Sequence, residues 1–139
     1  MTVASEPQAP SVAGLMILGH GTLPQALRDA AEQVLGSLSR PTRTIGLAND
    51  AALEDTAEHL AQELAALDTG AGVLILVDAL GATPYNAARQ AIRGHDQRRL
   101  VTGLNLPMLI RVYNYSNLAL AELAEAAVAG GQRGIADMP

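Results

Sequence analysis

Five consecutive aliphatic residues, Val73-Leu74-Ile75-Leu76-Val77, run straight into an aspartate, Asp78. Successive side chains of a strand point to opposite faces, so a run that is apolar at every position needs both faces covered. That is the condition of a central strand in a parallel sheet packed between helices. A second such run, Leu15-Met16-Ile17-Leu18, ends in Gly19-His20-Gly21-Thr22. The segments around these runs carry apolar residues at helical spacing. Pro24 suits the first turn of a helix bearing Ala26, Leu27, Ala30, Ala31, Val34 and Leu35, and Gly36 stops it. Residues 51–67 read as a long amphipathic helix. Asn49 and Asp50 are its capping residues, and Glu54 and Asp55 sit where the helix dipole favours acids. Thr83-Pro84 forms an N-cap and first-turn pair for a helix over 84–93. Residues 117–129 are Ala/Leu-rich and helical, with Gly130-Gly131 as the break. Shorter strands fit 43–47 and 100–103. Residues 105–117 fit either a short helix from Pro107 or an extended segment, and the tail from Gln132 fits a short edge strand or a disordered end.

Strands alternating with helices imply βαβ units. The expected fold is α/β: an open, mostly parallel sheet of four strands flanked by helices on both faces. Right-handed crossovers bring the strand ends to one edge, and ligands of such sheets bind beyond the carboxyl ends. The 139 residues suit one domain, taken as 13–139, with residues 1–12 as a disordered leader holding Pro7 and Pro10.

Composition removes several function classes. Aromatic residues are 2% of the chain, three Tyr with no Phe or Trp, so bases have little to stack on. A net charge of -5 opposes binding to a phosphate backbone, and no nucleic-acid partner is expected. Every basic residue is Arg, which excludes lysine chemistry, and the absence of Cys excludes disulfides and thiolate sites. No apolar run approaches the ~18 residues of a membrane span. The start does not read as a signal peptide, so no membrane insertion and a cytoplasmic location are expected.

His20 and Asp78 both close apolar strands. If those strands are neighbours, the two residues meet. A carboxylate on one imidazole nitrogen fixes the tautomer, frees the other nitrogen to attack, and stabilises charge developing on the ring. The same pairing orients a metal-bound histidine, so the pair alone does not name the reaction. Two glycine-containing loops, Gly19-His20-Gly21-Thr22 and Gly81-Ala82-Thr83, each open onto a helix. Helix N-termini offer unpaired N–H groups that suit an oxyanion such as a phosphoryl group. Gly21, Thr22, Gly81 and Thr83 are therefore the candidate phosphoryl-binding residues, although either threonine can instead cap its helix, the favoured role for Thr83. No metal or other cofactor is implied, because the chain has no Cys and no HxH or HExxH spacing. His59 and His95 read as solvated surface residues, as do Arg89 and Arg93.

These motifs resemble the mannose-type (mannose/fructose/sorbose) EIIA components of the bacterial phosphoenolpyruvate-dependent sugar phosphotransferase system. Leu15 to Gly21 is similar to the family's apolar strand and histidine site. The run from Leu67 through Asp78-Ala79-Leu80-Gly81-Ala82-Thr83-Pro84-Tyr85-Asn86 to Ala88 is the most specific match, and Gly103-Leu104-Asn105-Leu106-Pro107-Met108-Leu109 is a third. The resemblance implies that His20 is phosphorylated and that Asp78 hydrogen-bonds it. The donor would be the phosphocarrier HPr and the acceptor an EIIB component. The family needs no metal. It also implies a homodimer whose C-terminal strand is exchanged between subunits, giving 132–137 a purpose as an antiparallel edge strand. Ala82 departs from the pattern where a second glycine is usual, and Leu80 stands where Phe or Trp is frequent. No EIIB segment is fused within the chain, so a free-standing component, serving transport or regulation, is expected. Two alternatives share parts of the motif: the phosphocarrier subunit of a dihydroxyacetone kinase, and a small tetrapyrrole metal chelatase, which would place a second histidine late in the chain. A third is a sensor phosphorylated only to change its partners.

Overall fold

The computed structural model describes residues 11–139. The leader expected over 1–12 lies almost wholly outside them. The described chain runs β1 (Gly14–His20), α1 (Leu23–Leu35), β2 (Thr42–Leu47), α2 (Leu53–Leu67), β3 (Val73–Val77), α3 (Thr83–Ala91), β4 (Arg98–Thr102), α4 (Leu106–Asn114) and α5 (Leu120–Arg133). The sheet order is β2-β1-β3-β4 and all three pairings are parallel. The two wholly apolar runs are thus the two central strands, and every residue of β3 is buried. The edge strands β2 and β4 are only partly buried, which is why they carry Thr and Arg.

Alternation along the central strands builds two cores. Leu15, Ile17, Leu74 and Leu76 face α1, α4 and α5, packing with Ala31, Leu109, Val112, Leu123 and Ala127. Met16, Leu18, Val73, Ile75 and Val77 face the opposite layer, where Leu60 and Leu64 of α2 meet Ala87 and Ala88 of α3. Winding reverses at β1: the chain goes one way to β2, then crosses β1 to reach β3. The crevice between the carboxyl ends of β1 and β3 is therefore the topological switch point, where α/β sheets bind ligands.

The C-terminal part departs from the sequence reading. The antiparallel edge strand expected over 132–137 is absent. Helix α5 instead continues through Gly130-Gly131 to Arg133, and the residues beyond have no regular structure. These glycines are contact surfaces. A Cβ on Gly130 would lie 2.5 Å from the Cβ of Arg111, and one on Gly131 would lie 2.8 Å from Cε of Met108. Small residues let α5 seat closely on α4, and that packing outweighs the intrinsic cost of glycine in a helix. The undecided 105–117 segment is α4, started by Asn105, whose side-chain oxygen accepts from the Met108 N–H at 2.9 Å. Asn49 and Asp50 do not cap α2; its N-cap is Ala52, with no side-chain cap bond.

Candidate active site

Parallel pairing of β1 with β3 sets Leu18 opposite Val77, so the residues just beyond, His20 and Asp78, share the switch point. Asp78 then folds beneath the histidine. Its Oδ2 accepts from the His20 backbone N–H at 2.9 Å and lies 2.6 Å from Nδ1 of the His20 ring. Its Oδ1 accepts from the Ala79 N–H at 2.8 Å. Gly19 makes this approach feasible, since a Cβ there would stand 2.8 Å from the same Oδ2.

Burial alone would push the Asp78 carboxyl up. The His20 ring, the His20 backbone N–H, the attraction of the ring's charge and the Ala79 N–H outweigh it, and the group is held below the usual carboxylate value. An ionised carboxylate can only accept, so Nδ1 carries a proton, and in the neutral ring Nε2 is then the nitrogen with the lone pair. The side chain of His20 is 47% exposed and that of Asp78 11%. The imidazole is presented to solvent while the carboxylate that holds it is screened.

A shallow recess lies beside the ring. It is lined by His20, Gly21, Thr22, Leu23 and Ala26 on one side and by Leu47, Ala48 and Asn49 on the other. Gly21 has φ +55°, a left-handed turn that glycine adopts at no steric cost. Thr22 is the N-cap residue of α1 but makes no capping bond through its side chain. Gly81, in the loop after Asp78, and Thr83, which follows that loop, do not line this recess. Thr83 is the first residue of α3, Ala82 is the N-cap, and no side chain caps that helix, so the capping role expected of Thr83 is not found. Gly81 needs its glycine at φ +84°. Ala82 sits at φ -79° and ψ 170°, a conformation open to any residue, so the alanine that departs from the family pattern is unstrained. The loop is braced by Asn86, whose side-chain N–H donates to the Gly81 carbonyl at 3.2 Å.

The sequence reading missed Asn49, taken as a cap, and Gly46, whose place inside a short strand was the one available signal. His59 is exposed on α2. His95 is exposed in the turn before β4, at the opposite edge of the sheet from His20. Arg89 is also exposed, with its guanidinium 5.8 Å from the centre of the Tyr85 ring.

A doubly wound parallel sheet with an exposed histidine at its switch point, paired to a screened carboxylate, defines a class: an α/β domain with a histidine–carboxylate site at the carboxyl ends of its strands. Comparison with known proteins makes the class specific. Residues 14–128 match the family model EIIA-man, described as PTS system fructose IIA component. The chain is 31% identical over 123 residues to the PTS system mannose-specific EIIAB component of Escherichia coli strain K12, covering 87% of this chain and 38% of that relative. It is 31% identical over 110 residues to the PTS system fructose-specific EIIA component of Bacillus subtilis strain 168, covering 78% and 75%. The mannose/sorbose specific IIA subunit of the phosphotransferase system from Enterococcus faecalis superposes with a TM-score of 0.83 at 26% identity, over 93% of this chain and 96% of that one. The chain belongs to the mannose-type EIIA family of phosphotransferase-system components. It spans 38% of the length of the E. coli relative. Among the described residues no helix is long and apolar enough to cross a membrane.

Proposed function

We propose that His20 accepts a phosphoryl group on Nε2 from the phosphohistidine of HPr and passes it to an EIIB component. The observation that carries this reading is the 2.6 Å contact of Nδ1 with Asp78, which in the neutral ring makes the other nitrogen the one with a free lone pair, at the open carboxyl edge of the sheet. The Nε2 lone pair attacks phosphorus in line. A new N–P bond forms as the donor's N–P bond breaks, and that electron pair returns to the donor nitrogen. If the donor ring leaves as neutral imidazole, the positive charge moves to His20, where Asp78 faces it. No proton need cross between the proteins. Backbone N–H groups near Gly21-Thr22 and Gly81-Thr83 hold the phosphoryl oxygens. Such transfer depends chiefly on positioning and electrostatics.

The test is labelling of the chain from phosphoenolpyruvate with enzyme I and HPr. Incorporation is expected on His20 and none in His20→Ala; incorporation retained in that variant would refute the assignment. The homodimer expected from the resemblance is part of the proposal, supported by the unpaired edge of β4 among the described residues and by exposed Ile135 and Met138 in the segment after α5. Light scattering of the full chain tests it, and a monomer at all concentrations would remove it.

A further inference from the structure

We infer that Asn49 is a phosphoryl-binding residue, its carboxamide N–H donating to an oxygen of the group held on Nε2 of His20. This rests on the histidine-acceptor reading above. The two nitrogens of an imidazole point in divergent directions. Nδ1 is held by Asp78, which leaves Nε2 as the ring nitrogen free to take the group, and His20 shares its recess with residues of the loop that follows β2. That loop forms one wall of the recess.

This wall is pinned in place. The Gly21 N–H donates to the Leu47 carbonyl at 2.9 Å, and Gly46 approaches the Gly21 carbonyl so closely that a Cβ would fall 1.8 Å from its oxygen. The Ala51 N–H then donates to the Ala48 carbonyl at 3.2 Å, which closes a turn with Asn49 and Asp50 at its corners. Asn49 lines the recess and Asp50 does not. The Asn49 side chain makes no hydrogen bond among the described residues and caps nothing, since the N-cap of α2 is Ala52.

Charge makes a neutral donor matter here. None of the nine basic residues lies in the four loops that follow the strands, at 21–22, 48–52, 78–82 and 103–105. These loops bring no cation to a group that carries close to two negative charges. Its means of holding the phosphoryl oxygens are backbone N–H groups, the threonine hydroxyls and the Asn49 carboxamide. A carboxamide N–H is suited to that role, and a carboxylate in its place would repel the group.

The experiment measures the equilibrium partition of the phosphoryl group between HPr and the full chain, using enzyme I and limiting phosphoenolpyruvate. A partition constant reports the phosphorylated state itself and not the strength of transient docking. Asn49→Ala is expected to move it about tenfold toward HPr, the value of one hydrogen bond to a charged group. Asn49→Asp is expected to move it further, and Asn49→Gln to recover part of the loss. Thermal unfolding of the unphosphorylated variants is expected to match the unaltered chain. An unchanged partition in Asn49→Asp overturns the inference, even if the transfer rate falls, because the residue then acts on the partner. If the unaltered chain takes no label at all, the histidine-acceptor reading fails and this inference falls with it; label on the chain with an unmoved partition removes the inference alone.

Discussion

The two edges of the sheet use similar polar chemistry to opposite ends. At the amino edge most of it is consumed internally, although Nε of Arg40 is buried without a partner among the described residues. Arg40 is 4% exposed and donates to the carbonyls of Ala13 at 2.8 Å, Tyr115 at 2.9 Å and Val112 at 3.5 Å, tying the start of β1 to the last turn of α4. A cation against the final carbonyls of a helix is also favoured by the helix dipole. Asp68 accepts from the Gly70 and Gly72 N–H groups at 2.8 and 3.1 Å and pairs with Arg98 at 2.7 Å. At the carboxyl edge, His20 is half-exposed and the side chains of Thr22 and Asn49 have no hydrogen-bond partner among the described residues. Polar groups that are saturated hold a fold together. Polar groups left unsaturated around an exposed histidine are free to bind a ligand.

Substitutions at each edge should separate these two roles. Asp78→Asn is expected to have the largest effect, slowing phosphorylation of His20 on the order of 10³-fold. A carboxamide can donate to Nδ1 and so leave the proton on Nε2, the wrong tautomer for attack. Rapid-quench transfer from phospho-HPr measures this, and a rate near that of the unaltered chain would mean the carboxylate does not orient the ring. Arg40→Met comes next, with a stability loss of about 3 kcal/mol from buried carbonyls left unpaired. Urea unfolding reads that loss, while the phosphoryl partition should stay put; a shift in the partition would erase the distinction between the edges.

Gly46→Ala sharpens the comparison from the other side. Overpacking against the Gly21 carbonyl should cost about 2 kcal/mol and also displace the Asn49 loop, so stability and partition should move together. An alanine tolerated without change in either would show that the loop is not pinned there. The smallest expected effect is acid sensitivity. Asp68 is held below its ordinary value first by the Gly70 N–H, then by Arg98 and the Gly72 N–H, against the opposing pull of burial. A depressed carboxyl stabilises the fold fully above its unfolded value of about 3.9 and loses that contribution as pH falls through the folded value. The acid limb of the stability curve, below about pH 4, should therefore flatten in Asp68→Asn. An equally steep limb would count against a structural role for the Asp68 cluster.

Much of the centre of this molecule was legible because each element there satisfies its own local rule. Strands with no polar side are central strands, and β1 and β3 fall where the apolar runs do. The meeting of His20 and Asp78 was legible only as a condition, since nothing local says that β1 has β3 as a neighbour. The periphery was less so. Arg40 sits between Ser39 and Pro41 and looks like an ordinary loop residue; its burial comes from the end of α4 closing over it. Gly130-Gly131 reads as a helix break because local propensity says so, and it is helical because Arg111 and Met108 fill the space that side chains would occupy. Asn49 reads as a cap because asparagine before a helix usually is one.

The sequence by itself determined the layer architecture, the two central strands, and the histidine and carboxylate that end them, because burial on two faces leaves its mark on every residue of a strand. Only the tertiary structure decided which strand ends lie together, that α5 runs past its glycines, and that the wall of the recess carries Asn49. Those outcomes depend on strand order and on contacts between distant segments, which no local pattern records.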